Sequence, residues 1–144
     1  MWEALLRLQR AGLCRQAAAA LFRTYAGAAS QYALRMQLAN DAETQGYDGE
    51  LKGCWRILVD RTLDETGADL LGLPAKLGGI GAQYASTRRF AAFFSSWGSA
   101  FEEVITDLGS STVAEGLARL PRTQAKLQTA WEGLQGQGVR LAEG

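Results

Sequence analysis

Apolar residues recur every three or four positions along most of the chain, and no segment alternates as a strand would. Trp2, Leu5, Leu6 and Leu8 predict a first helix ending at Arg10, which Gly12 weakens. From Leu13 the spacing of Cys14, Ala17, Leu21, Tyr25, Ala28, Tyr32 and Met36 predicts a helix of about 25 residues. On this reading the stripe is the core face, with the Tyr25 and Tyr32 hydroxyls at its edge. The alanine-rich middle suits close approach of a neighbour, and Gly27 is a weak point. Asn40 and Glu43 form a capping box. The helix it opens carries Tyr47, Leu51, Cys54, Trp55, Leu58 and Val59 on one stripe and is expected to end near Gly67. That end places Asp60, Asp64 and Glu65 where the helix dipole disfavours acids, partly offset by pairing with Arg56 and Arg61. Gly46, Gly49 and Gly53 lower its intrinsic propensity, so tertiary packing must hold it.

A short helical piece, Ala68 to Leu71, then leads into a turn near residues 73–82. Pro74 biases Leu73 to an extended conformation, and Gly78, Gly79 and Gly81 permit a tight reversal. The next helix is expected from about Ala82 to Trp97, with Phe90, Phe93, Phe94 and Trp97 as its heavy face. Gly98 interrupts, and Phe101, Val104, Ile105 and Leu108 continue the pattern. Thr112 and Glu115 read as a second capping box, opening a helix that Pro121 stops. Leu127, Trp131 and Leu134 mark a last helix over Thr123–Leu134. The expected fold is an all-α bundle of five to seven helices. Residues 1–135 read as a single helical domain and 136–144 as a flexible, glycine-rich tail.

With 144 residues, 47% of them apolar, the chain can bury about two thirds of its unfolded surface. Its net charge of zero removes any global electrostatic argument for nucleic acid or membrane. The charges are nonetheless blocked. Five arginines and no acid lie between Ala4 and Asn40, and eight acids against three bases between Asp41 and Asp69. Three bases and no acid follow between Leu70 and Phe101. Either folding gathers the basic blocks on one face, or acidic and basic helices pair.

The chain has no histidine, which excludes imidazole bases, histidine-dependent nucleophiles and histidine-ligated metals. Cys14 and Cys54 cannot form a zinc site alone and read as buried small hydrophobes in a reducing, intracellular compartment, nucleus or cytoplasm. The longest apolar run, Ala17 to Phe22, is six residues, too short to span a membrane. The acid-poor start has the composition of an organelle transit peptide, against which stand Glu3 and the absence of serine before Ser30. Adjacent carboxylates such as Glu102–Glu103 point to different helix faces, and Asp60 with Asp64 reads as solvated surface. No catalytic dyad, metal cluster or cofactor motif is expected.

The glycine turn fails both phosphate motifs. Gly81 is followed by Ala82 and Gln83 rather than Lys-Ser/Thr, and Tyr84 stands where a dinucleotide fingerprint needs a small residue. Two readings remain. Its amides, with Lys76, Arg88 and Arg89 near in sequence, meet an anion, or the turn packs two helices closely.

The segment LGLPAKLGGIGAQYASTRRFAAFFSSW, residues 71–97, resembles the LP-x-x-x-GG-[LI]-G segment of non-LTR (LINE-type) retrotransposon reverse transcriptases, in their helical thumb and post-thumb region. AALFRTYAGAASQYALRM and YDGELKGCWRILV upstream are similar to the same region, so the resemblance covers roughly residues 13–105. The Tyr/Phe-Ala-Asp-Asp motif of the catalytic palm is missing. The resemblance therefore implies a non-catalytic, thumb-like helical remnant that grips a nucleic-acid backbone without reading sequence. Its contacts would be Lys76, Arg88 and Arg89 near the loop, with Arg15, Arg23 and Arg35 as a second set. The alternative is a helical module that binds protein through an exposed apolar face.

Overall fold

The computed structural model describes residues 2–60 and 64–140. Among them are seven α-helices, one turn of 3-10 helix and no strand, so the fold is an all-α helical bundle. The helices are α1 (Trp2–Arg10), α2 (Arg15–Met36), α3 (Asp41–Val59), α4 (Glu65–Gly72), α5 (Ala85–Asp107), α6 (Val113–Ala118) and α7 (Pro121–Gly136). No helix among the described residues is long and apolar enough to cross a membrane. The chain clusters into two compact units, Met1–Tyr32 with Asn40–Thr87 and Ala33–Ala39 with Arg88–Gly144.

In the first unit the core is built by α2 and α3. Ala18, Phe22 and Ala26 of α2 face Leu51, Cys54, Trp55 and Leu58 of α3, and Ala82 closes the cluster. Trp55 and Phe22 are each 1% exposed and meet edge to face, with ring centroids 4.8 Å apart. Alanines on either side of Phe22 let the two large rings fit between helices. The Tyr47 hydroxyl donates to the Ala26 carbonyl at 2.7 Å, tying α3 to α2 a second time.

This core reverses the expected orientation of α2. The buried positions of α2 in this unit are Ala18, Phe22, Ala26, Gly27 and Ser30, with Ala18, Phe22, Ala26 and Ser30 at every fourth residue. Tyr25 is 54% exposed and Tyr32 71% exposed, not at the edge of a core. Leu21 and Met36 of the same stripe are exposed too, and so is Cys14, which was expected to be buried. The helix carries apolar residues on more than one face, so side-chain mass alone pointed to the wrong one; room beside Trp55 favours the face rich in small residues.

The Asn40–Glu43 box forms as read, each side chain accepting the other residue's backbone N–H at 2.9 Å. The end of α3 does not. Asp60 adopts a left-handed conformation (φ 55°) and stops the helix, and Asp64 caps α4 by accepting the Gly67 N–H at 2.7 Å. Asp64 and Glu65 thus sit at a helix N-terminus, where the dipole favours acids. The expected pairing of Arg61 falls outside the described residues, as do residues 141–144 of the expected tail.

The second unit packs α5 against α7. Phe93, Leu127 and Ala130 form its centre, with Leu38, Phe90, Trp97, Phe101 and Leu117 around them. A Cβ at Gly133 would lie 2.5 Å from the Phe90 ring, so the close α5–α7 approach requires glycine there. Helix α5 passes through Gly98 without interruption. Pro121 is not only a stop signal but the first residue of α7, where its missing N–H costs nothing. The Thr112 box is one-sided: its hydroxyl accepts the Glu115 N–H, while the Glu115 carboxylate reaches back to Ser111. Those Ser111 hydrogen bonds hold the Glu115 pKa below the usual range.

Gly46 and Gly49 lie inside α3 with open space where a Cβ would stand. Gly46→Ala and Gly49→Ala are each expected to raise the unfolding free energy by about 1 kcal/mol, read as an upward shift of the urea midpoint at unchanged slope.

Candidate functional site

The glycine turn is closed on itself. Six successive amides, from Leu77 to Ala82, donate to carbonyls within the segment: Leu77 and Gly79 to Pro74, Gly78 to Ala75, Ile80 and Ala82 to Leu71, and Gly81 to Leu73. Gly78 and Gly81 have φ of 85° and 68°, the left-handed region that favours glycine. Gly79 is required for space, because a Cβ there would overlap the Leu73 carbonyl. None of these amides is left to meet an anion. The structure shows the packing turn, seating Ile80, Ala82 and Tyr84 against the first unit's core.

The N-terminus of α5 is occupied as well. Asp48, buried on α3, presents Oδ1 to the Ala85 N–H at 2.6 Å and Oδ2 to the Ser86 N–H at 3.0 Å. The protein's own carboxylate therefore fills the place an anion would take. Sequence reasoning passed over Asp48. The available signal was its spacing of three and seven residues from Leu51 and Trp55, which puts it on the buried face of α3.

Of the six bases singled out, Arg15, Arg23 and Lys76 belong to the first unit and Arg35, Arg88 and Arg89 to the second. Arg15 pairs with Asp60 at 2.9 Å, both side chains largely exposed. Arg23 donates through Nη1 to the Ile80 carbonyl at 3.4 Å. Arg89 donates to the Ala39 carbonyl at 3.2 Å and lies over the Phe90 ring, 4.4 Å from its centroid. Arg88 is half-buried on α5, whereas Lys76, on the 3-10 turn Ala75–Leu77, and Arg35, in the last turn of α2, are exposed.

Two surfaces of the first unit stand out. One is the outward face of α2, where Leu21, Tyr25, Ala28 and Tyr32 follow one another at spacings of four, three and four. The other is a cavity of 260 Å³ between α2 and the turn, lined by Gln16, Ala19, Ala20, Arg23, Trp55, Ala75, Gly79 and Ile80. Among the described residues no group of three or more Cys, Asp or Glu side chains is gathered as a metal would need. Comparison of the chain with protein-family models, with curated proteins and with solved structures gives no match.

Burial raises the pKa of Tyr47 and of Tyr84, with the nearby Asp48 charge adding to each, and burial likewise raises the Cys54 thiol, with Glu50 adding. Both phenols donate to carbonyls, Tyr47 to Ala26 and Tyr84 to Ala68 at 2.7 Å, bonds a phenolate cannot make. A raised folded-state pKa contributes stability that is present below the unfolded value and lost as pH rises through the folded one. The urea midpoint is therefore expected to hold from neutral pH to about pH 9 and to fall beyond about pH 10; in Tyr47→Phe with Tyr84→Phe the fall is smaller. Asp48→Ala strips two amide partners at once and is expected to cost about 3 kcal/mol or more, with faster amide exchange at Ala85 and Ser86 as its local signature.

Proposed function

We propose that this protein is a non-catalytic helical interaction module whose α2 receives a helix from a partner protein. The observation that carries the reading is the exposed stripe of Leu21, Tyr25, Ala28 and Tyr32, with Leu21, Tyr25 and Tyr32 at 37%, 54% and 71% exposure. Its four-three-four spacing is the seam on which a second helix packs knobs into holes. Ala28 leaves room for close approach, while the two tyrosines supply large rigid contacts with polar tips, the residue type enriched at interface centres.

Charge identifies the occupant. Helix α2 carries Arg15, Arg23 and Arg35 and no acid, so a second copy of α2 would bring only like charges. An apolar-faced helix flanked by Glu and Asp meets no like charge on α2 and is steered toward this acid-free helix as it makes contact, although Arg23 itself lies on the opposite face. A second reading rests on the same exposed tyrosines. On an acid-free helix they can stack on bases while arginines meet phosphates, which is also what the resemblance to a reverse-transcriptase thumb implies.

A designed amphipathic peptide with leucine at a and d and glutamate at e and g separates these readings. The acidic peptide is expected to bind, its lysine-flanked counterpart not, and Tyr25→Glu with Tyr32→Glu to abolish binding while the melting temperature stays within a few degrees. Indifference to the peptide's charge, or binding that survives the double substitution, would refute the helix-docking reading. Binding only of a single-stranded oligonucleotide, weakening steeply with salt, would replace it with the nucleic-acid one.

A further inference from the structure

We propose that the hollow between α3 and α4 binds a small zwitterion, a free α-amino acid with a compact side chain. The hollow measures 340 Å³, at the lower end of the range of small-molecule sites, and is lined by Lys52, Arg56, Asp64, Glu65 and Ala68. It shares no residue with the α2 stripe, so it stands apart from the helix-docking reading. Helical spacing explains the lining. Lys52 and Arg56 are four residues apart on one face of α3. Asp64, the N-cap of α4, and Glu65 lie four and three residues before Ala68 on one face of that helix. The two helices therefore present a basic wall and an acidic wall to the same space.

These walls do not close on each other. Lys52 and Glu65 take no part in the ion pairs seen among the described residues, Arg7 with Glu3 and Arg15 with Asp60. Contacts within the protein instead hold each wall in place. The Lys52 ammonium sits over the Tyr84 ring, 5.5 Å from its centroid, and the Tyr84 hydroxyl is anchored on the Ala68 carbonyl. Asp64 is fixed by the Gly67 N–H, which donates to Oδ1 at 2.7 Å and leaves Oδ2 to accept from a ligand. Arg56, Asp64 and Glu65 are exposed and Lys52 is half-buried, so a solute reaches both walls. A ligand of one charge is attracted by one wall and repelled by the other. A zwitterion satisfies both: its carboxylate accepts from Lys52 and Arg56, and its ammonium donates to Glu65 and to Asp64 Oδ2. Ala68 is the one apolar residue of the lining, so a large apolar side chain finds no wall to pack on.

The test is a titration of the full ¹⁵N-labelled chain with L-alanine at low ionic strength, followed at the backbone amides of Lys52, Arg56, Glu65 and Ala68. N-acetyl-L-alanine, which lacks the ammonium, and L-alaninamide, which lacks the carboxylate, are the controls. L-Alanine is expected to shift these amides saturably, with a dissociation constant on the order of 1 mM, and neither control to do so. Lys52→Gln and Glu65→Gln, both surface substitutions, are each expected to weaken binding about fivefold while the amide spectrum elsewhere stays that of the folded chain. No saturable shift at these amides when L-alanine is raised to about ten times that concentration would overturn the assignment. So would an equal response to either control, or an L-alanine response unchanged in both variants.

Discussion

The first unit depends on one buried carboxylate. Asp48 belongs to α3, yet it caps α5, whose first amides lie 37 and 38 residues further along the chain. Ala85 is 3% exposed, so water cannot take over that duty. Burying an isolated charge costs several kcal/mol, and here two backbone hydrogen bonds, of 2.6 and 3.0 Å, and the positive end of a 23-residue helix offset it. Each such bond is worth about 1.5–3 kcal/mol, whereas the exposed Arg15–Asp60 pair falls in the class worth about 0–1 kcal/mol. The interior contact, not the surface pair, fixes where α5 starts.

That start governs the turn before it. Residues 77–82 spend every amide on neighbouring carbonyls, which draws Ile80 and Ala82 back toward the end of α4 and into the α2–α3 core. Tyr84 then reaches Ala68 with its hydroxyl and takes Lys52 over its ring at 5.5 Å. A glycine-rich loop ahead of a helix invites comparison with phosphate cradles. What decides the matter is the amide inventory, and here the amides of residues 77–82 and the first two of α5 are taken by the protein itself.

The parts of this fold that were legible are those written within a few residues. The Asn40–Glu43 cap, the α3 stripe through Leu51, Trp55 and Leu58, and the turn glycines all depend on neighbours in sequence. Three features were not legible for the same reason. The cap of α5 comes from another helix. The break comes at a left-handed Asp60, and Asp64 caps the next helix, but acids ending one helix look locally like acids opening the next. The face of α2 was decided by its partner: Trp55 and Phe22 in edge contact leave space for Ala18 and Ala26 and none for Tyr25. The cavity was invisible for a further reason, since its lining joins residues 16–23, 55 and 75–80 and needs the turn's closure to exist.

The choice of the small face has a consequence for the surface. A helix with apolar residues on two faces displays whichever one it does not bury, and α2 displays Leu21, Tyr25 and Tyr32. Had selection favoured only a monomer of minimal apolar surface, glutamate or lysine at these three positions would leave the α2–α3 contact untouched, since none of the three belongs to its cluster. The stripe is thus dispensable for the first unit's core, as the proposed docking role requires.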